Sequence, residues 1–267
     1  MKVKDILGAL EEFAPLALQD GYDNAGLQIG LAEEAEATGA LLCLDVTEDV
    51  VEEAVRRGCN LIVSHHPLLF RPVKSITGSD YVGRVVIKAI QQNVAIYAAH
   101  TNLDAAYEGV NFKMAEKLRL TDIEWLSPKA PYVRDGETLH AGEGIIASLP
   151  RPMSQKDFME KVKETFALKS LRTNYSAKQT ISRVALCGGA GAFLIPQAVE
   201  QGADAFITGE IGYHRFFGYE NQILLMEIGH YESEQYTLEI LHDIISRKAP
   251  GLPVCRTKMQ TNPVKYL

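Results

Sequence analysis

Asn60-Leu61-Ile62-Val63-Ser64-His65-His66-Pro67 decides the fold class and points to the chemistry. Leu61 to Val63 reads as a short apolar strand, one of a series alternating with helices, and that alternation argues for a mostly parallel sheet covered by helices. The strand runs directly into two adjacent imidazoles, and Pro67 biases the backbone of His66 toward an extended conformation. Successive side chains on a strand point to opposite sides. The pair is therefore suited to serving two metals, or to one residue ligating while the other supports it.

The same grammar extends outward in both directions. Ala40 to Val46 reads as an apolar strand ending at Asp45. Thr47 is placed to cap a helix from about Glu48 to Arg57, closed by Gly58. Downstream, a helix over about Tyr81 to Gln92 precedes a strand from Asn93 to Ala99. That strand ends in His100-Thr101-Asn102-Leu103-Asp104, and a further helix starts near Val110. Before this block, a helix over about Lys4 to Phe13 is stopped by Pro15. The turn-rich Asp20 to Gly26 follows, then a short strand Leu27-Gln28-Ile29. Alternating strands and helices predict an α/β fold.

Residues 126–180 break the rhythm. Pro128, Pro131, Pro150 and Pro152 surround short strand-like pieces, and one helix is expected from Gln155 to Phe166. The pattern then returns. Shifting the chain by 144 residues lays Leu42 on Leu186, Cys43 on Cys187, Ala54 on Ala198 and Gly58 on Gly202, with Ser64-His65-His66 on Thr208-Gly209-Glu210. A shift of 130 lays His100-x-x-x-Asp104 on His230-x-x-x-Glu234. Any two strand–helix–strand units resemble each other to this extent; the alternative is an internal duplication. The expectation is two similar α/β lobes. Residues 1–125 form the first lobe, 126–180 a connecting segment without an inserted domain, and 181–267 the second lobe.

Seven histidines are present, and three of them, with two acids, follow expected strand ends: His65, His66, Asp104, His230 and Glu234. Imidazole and carboxylate together suit zinc, iron, manganese, cobalt or nickel. His230 and Glu234 have helical i, i+4 spacing, so a helix starting after Gly229 puts both on one face. A carboxylate there could bridge two ions about 3.5–4 Å apart. His100 is placed either to bind metal or to support the site from behind. Glu210 and His214 are candidate acid/base groups, with a structural hydrogen bond as the alternative. Each of these pieces is weak alone; their common position at strand ends gives them weight.

Cys187-Gly188-Gly189-Ala190-Gly191 follows a strand and hints at a phosphate-binding turn. The third glycine of a dinucleotide fingerprint is missing, since Leu194 stands there, so a tight turn, or an anion contact from bare backbone N–H groups, is the better account. No GxxxxGK[ST] occurs. Cys43, Cys59, Cys187 and Cys255 form no CxxC pair, and a long chain lacking a signal-peptide pattern reads as a reduced, cytoplasmic protein. No apolar run approaches the roughly 18 residues needed to span a bilayer. The 267 residues are 46% hydrophobic, enough for a sizeable core. The net charge of −7 counts against nucleic acid as a partner.

Taken in order, Tyr22-Asp23-Asn24-Ala25-Gly26-Leu27-Gln28-Ile29-Gly30, Leu44-Asp45-Val46-Thr47, Ser64-His65-His66-Pro67, His100-Thr101-Asn102-Leu103-Asp104, Cys187-Gly188-Gly189-Ala190-Gly191 and Gly209-Glu210-Ile211 with Gly229-His230-x-x-x-Glu234 resemble the Nif-three-like family. Its bacterial members are commonly labelled GTP cyclohydrolase I type 2 homologs. The resemblance spans nearly the whole chain and fits the compact form without an inserted domain. It implies two intertwined, similar α/β/α lobes with mixed sheets, a toroidal homohexamer and a dinuclear divalent-metal centre, with His65, His66, Asp104, His230 and Glu234 as ligands and Glu234 as the bridge. Two functions stay open. One is a metal-dependent hydrolase using a metal-bridging hydroxide on a small-molecule substrate. The other is a non-enzymatic metal-binding, regulatory or interaction scaffold. A DNA-binding ring would rest on the implied shape alone.

Overall fold

The computed structural model describes residues 1–30 and 35–266. The chain divides into two compact units. Unit 1 comprises Met1–Leu103, Arg134–Gly136 and Thr237–Val264; unit 2 comprises Asp104–Val133, Glu137–Tyr236 and Lys265–Leu267.

The chain starts with α1 (Val3–Phe13), β1 (Gly26–Ile29), β2 (Ala40–Cys43), α2 (Glu48–Arg56), β3 (Leu61–Ser64), α3 (Tyr81–Gln91) and β4 (Ala95–Ala98). A short helix, α4 (Thr101–Ala105), and then α5 (Val110–Leu118) follow, with β5 (Thr121–Pro128) next. β6 (Tyr132–Arg134) and β7 (Glu137–Leu139) form a hairpin whose tip, Asp135-Gly136, has both residues at positive φ. This is the chemistry two-residue hairpin turns require. β8 (Gly142–Ser154), α6 (Gln155–Thr165), β9 (Arg172–Thr173), β10 (Thr180–Cys187), α7 (Ile195–Glu200), β11 (Ala205–Thr208), β12 (Leu224–Glu227) and α8 (His230–Glu234) continue the chain. α9 (Thr237–Lys248) and β13 (Val254–Arg256) close it.

Unit 1 is built on one five-stranded sheet in the order β1-β4-β3-β2-β13. β13, β2, β3 and β4 run parallel, and β1 is antiparallel at the edge. Every residue of β2, β3 and β4 is buried, as expected for strands covered on both faces. Leu41, Cys43, Ile62 and Ile96 pack with Val50, Val51 and Ala54 of α2 and Val85, Val86 and Ala89 of α3. α9 packs on β2 and β13 and against α1. Thr47 caps α2 by accepting from the Val50 N–H, as its position in the sequence predicts; Asp80 does the same for α3 from Gly83. The strand expected over Ala40 to Val46 stops at Cys43, and the residues beyond form the turn that feeds α2.

Unit 2 is built on a six-stranded mixed sheet in the order β5-β8-β10-β11-β12-β9. β10, β11 and β12 are parallel; β8 joins β10 and β5 by antiparallel pairing. Alternate residues of β10 face opposite layers. Val184 and Leu186 meet Met114 and Leu118 of α5 and Phe158 and Val162 of α6, while Ala185 and Cys187 pack with Ile195 and Ala198 of α7. The proline-rich stretch left open by the sequence supplies β8, a 13-residue strand in the middle of the pairing. Pro150 and Pro152 lie in its distal half, where the register with β10 shifts between Ile181 and Arg183. Prolines in mid-strand argue against a central strand, and that irregularity accommodates them.

The two sheets repeat one device. Ala40 pairs with Leu61 in unit 1 and Val184 with Ala205 in unit 2, the correspondence produced by the shift of 144 residues. In each unit three neighbouring parallel strands, β2, β3 and β4 in unit 1 and β10, β11 and β12 in unit 2, end level. Cys43, Ser64 and Ala98 are in register in unit 1, and Cys187, Thr208 and Glu227 in unit 2. The residues that follow them therefore meet at one sheet edge within each unit.

Candidate metal centre

In unit 1 the residues following β3 and β4 are His65, His66 and His100. The His65 and His66 N–H groups donate to the Cys43 and Leu44 carbonyls, so the backbone stays tied to β2 as it leaves the strand. The strand itself ends at Ser64, so alternation does not carry into the histidine pair. The rings converge: centroids lie 5.0 Å apart for His65 and His66, 5.3 Å for His65 and His100, and 5.5 Å for His66 and His100. One nitrogen from each ring lies within 4.8 Å of the others, close enough for the three to share an ion.

Every one of these rings is held by its Nδ1. His65 Nδ1 is 2.8 Å from the Ala99 carbonyl oxygen, His66 Nδ1 is 2.8 Å from Asp45 Oδ1, and His100 Nδ1 is 2.7 Å from Asp23 Oδ1. An oxygen at Nδ1 selects the tautomer with its proton there and turns Nε2 toward the cation, the usual support of a metal-ligating histidine. Burial by itself pushes the Asp23 carboxyl up. Hydrogen bonds from His100 and Thr101, attraction to the His100 ring and the Asn24 N–H outweigh it and bring the pKa down to about 2. Asp45 is held from its other oxygen by Thr261 Oγ1 at 3.2 Å.

In unit 2 Gly229 leads into α8, with His230 and Glu234 one turn apart. His230 Nε2 is 3.2 Å from Glu234 Oε2, and its Nδ1 is 2.8 Å from Glu210 Oε1, repeating the arrangement of unit 1. A carboxylate oxygen of Asp104 lies within 4.8 Å of one of Glu234. Asn111, buried on α5, fixes the neighbourhood: its amide donates to the Asp104 carbonyl and its oxygen accepts from the Gly188 N–H, both at 3.0 Å.

The glycine turn after β10 makes room for this arrangement. A Cβ at Gly189, which has φ +58°, would stand 2.4 Å from Glu234 Oε1 and 3.4 Å from the His230 ring. The turn's own donors are used internally: Gly189 N–H to Ser233 Oγ and Gly191 N–H to Thr208 Oγ1. The hint of a phosphate cradle is thereby answered by a tight turn against α8.

The donor set fits a divalent cation of the zinc, iron, manganese, cobalt or nickel class: imidazoles and carboxylates, with no thiolate among them. Burial pushes the Cys187 thiol up, and the negative charges of Asp104, Glu143 and Glu234 push it further. Burial disfavours charge of either sign, but the three acids that disfavour a thiolate there favour a cation. Cys43 is likewise raised by burial. His214 lies apart from this polar network; its ring sits against Tyr213 at 5.2 Å and Phe217 at 6.5 Å.

Sequence reasoning passed over Asp23, Asp45, Asn111 and the Ala99 carbonyl as supports. Asp45 carried a usable signal, since it lies just past a buried strand, level with the residues that follow β3. Asp23 lies 77 positions from His100, and a backbone carbonyl leaves no mark in a sequence.

A family model described as Duf34/NIF3 (NGG1p interacting factor 3) matches residues 1–263. The chain is similar to a Clostridium perfringens protein named GTP cyclohydrolase 1 type 2 homolog, at 36% identity over 88% of this chain and 87% of the relative. A Clostridium acetobutylicum protein of the same name is 31% identical over 100% of this chain and 99% of its own length. Among solved structures, a hypothetical protein of Staphylococcus aureus superposes with a TM-score of 0.89 at 29% identity, covering 100% of this chain and 99% of that one.

Proposed function

The chain belongs to the Duf34/NIF3 (NGG1p interacting factor 3) family, and from that premise we propose that it holds two divalent metal ions and acts as a metal-dependent hydrolase. In this proposal His65, His66, Asp104, His230 and Glu234 are the ligands, with His100 supporting or joining them and Glu234 as the bridging carboxylate. The observation that carries the proposal is the repeated support at Nδ1: four histidines, each with an oxygen 2.7–2.8 Å from that atom. Histidines that merely fill a core have no need of such uniform orientation.

Bound divalent ions would acidify water and so supply a nucleophile near neutral pH. The residues of the chain divide the duties, with Glu210 taking two. Asp23, Asp45 and Glu210 hold ring orientations, and Gly189 lets Glu234 approach. Glu210 and His214 are the proposed acid/base groups, with the half-exposed loop between them open to substrate. The name of the clostridial relatives makes GTP the first substrate to assay, followed by cyclic amides and phosphoesters.

Elemental analysis of the purified protein should find two divalent ions per chain, and His65→Ala and Glu234→Ala should each reduce that number. Full metal content in both variants would sink the ligand assignment. Metal-dependent turnover lost in His65→Ala supports the hydrolase. Stoichiometric metal without turnover on any of the three substrate classes transfers the proposal to a metal-binding scaffold. The proposal includes a homohexamer, which light scattering in solution tests directly, and a cytoplasmic location. Among the described residues no helix is long and apolar enough to cross a membrane.

A further inference from the structure

Away from the histidines, unit 1 brings together two of the four cysteines. Cys59 lies in the short link between α2 and β3 and is 3% exposed. Cys255 is the middle residue of β13, at the edge of the sheet, and is partly exposed. The two are far apart in the chain, and the sheet order explains how they meet. Cys255 is in register with Leu41 of β2, and Gly39 lies two residues before Leu41, hence on the same face. A Cβ at Gly39 would stand 3.0 Å from Cys59 Sγ and 3.2 Å from the Pro253 carbonyl oxygen. The missing side chain at Gly39 is thus what lets the Cys59 sulfur reach across β2 toward β13.

Cys255 packs against the buried cluster that contains Cys59 and Leu41, and the Arg57 guanidinium and the Cys255 sulfur attract each other. Both cysteines are reduced in the structure. Arg57 is itself fixed by Glu53, whose Oε1 is 2.7 Å from Arg57 Nη2. One cysteine is therefore partly exposed and near a cation, while the other is buried in the same cluster. That is the arrangement of an attacking thiol and a resolving thiol.

We infer that Cys59 and Cys255 form a redox-responsive dithiol that closes to an intramolecular disulfide by exchange with a low-molecular-weight disulfide such as oxidised glutathione. In the first step the Cys255 thiolate attacks one sulfur of the small disulfide. A mixed disulfide forms on Cys255, and one small thiolate leaves and takes up the proton given by Cys255. In the second step the Cys59 sulfur, losing its proton, attacks Cys255 Sγ and expels the second small thiolate, which takes that proton. Two protein thiols are oxidised, one small disulfide is reduced to two thiols, and atoms and electrons balance. Burial raises the Cys59 thiol, which suits it to the second, intramolecular step, where proximity replaces acidity.

The bridge would staple β13, and with it the strap that follows. Thr257 and Lys258 in that strap reach Glu53, and Thr261 reaches Asp45, the carboxylate that orients His66. Oxidation would thus stiffen a segment that ends on a support of the histidine cluster.

The test uses the full chain under native conditions with a graded excess of oxidised glutathione, read by intact mass and by peptide mapping without reduction. The expected result is loss of two hydrogens per chain and one cross-linked peptide joining Cys59 to Cys255, reversed by dithiothreitol. Cys59→Ser should stop at a stable glutathione adduct on Cys255, and Cys255→Ser should lose both adduct and cross-link. If the wild-type protein, still folded by circular dichroism, keeps a glutathione adduct on Cys255 or keeps both thiols free, the inference is overturned. Because the wild-type chain gives the decisive readout, a variant that fails to fold does not rescue it.

Discussion

A Cβ on Gly189 would stand 2.4 Å from Glu234 Oε1, so the turn after β10 and the carboxylate on α8 occupy space that only an absent side chain leaves open. The turn is locked in place by Asn111 and Ser233, which accept its N–H groups. A glycine-rich loop that looks like a ligand cradle in sequence is instead the wall against which a proposed ligand is set.

Gly189→Ala should therefore do two things. It adds left-handed backbone strain of about 1 kcal/mol, and it pushes Glu234 from its place. Gly202→Ala is the control: its φ is +75°, and a Cβ there would meet nothing within 4 Å. Both variants should melt lower by calorimetry, but only Gly189→Ala should lose metal by elemental analysis. Equal metal content in the two would refute the role given to Gly189.

Asp45 is expected to act on metal through His66 alone. Asp45→Ala should weaken metal affinity roughly 10–100-fold, measured by competition with a chromophoric chelator. Thr261→Val, which removes the hydroxyl on the other Asp45 oxygen, should follow in the same direction with a smaller effect. An unchanged affinity in Asp45→Ala would mean that the His66 ring is positioned by packing.

Asn111 is 1% exposed and satisfies two backbone groups of unit 2 at once. Asn111→Ala leaves both groups to find other partners and should cost about 1–3 kcal/mol in denaturant unfolding. Metal content should fall with it, because the Asp104 and Gly188 backbones lose their common tie. A variant destabilised by that amount but binding metal normally would limit Asn111 to a folding role.

Glu53 supplies a dependence on pH remote from the histidines. Its side chain is 4% exposed and pairs with Arg57. Burial alone would raise its pKa, but the Thr257 hydroxyl, the Lys258 N–H and Arg57 outweigh that, so the net shift is downward from the usual 4.5. A carboxyl depressed on folding stabilises the protein above its unfolded value and loses that contribution as pH falls through its folded value. Glu53→Gln should accordingly melt lower than wild type at pH 7, with the gap closing as the pH drops below about 4.5. A gap that stays constant through acid pH would contradict the assignment.

The sequence by itself determined that this is an α/β protein and roughly where its parallel strands end, although the strand expected to reach Val46 stops at Cys43. Runs such as Leu61-Ile62-Val63 report burial on both faces, and caps such as Thr47 report where helices begin, because both are local consequences of solvation and backbone hydrogen bonding. From those strand ends alone His65, His66, His100 and His230 fall at sheet edges. The tertiary structure decided the rest. It made His65, His66 and His100 converge, supplied the Ala99 carbonyl, Asp45 and Asp23 at their Nδ1 atoms and Glu210 at that of His230, and placed β8 between β5 and β10 despite its prolines. It also returned Thr237–Val264 to the sheet of unit 1. These features rest on pairings between residues tens to hundreds of positions apart. Periodicity records which side of an element is buried, but strand register and the packing of distant segments fix which atoms meet there.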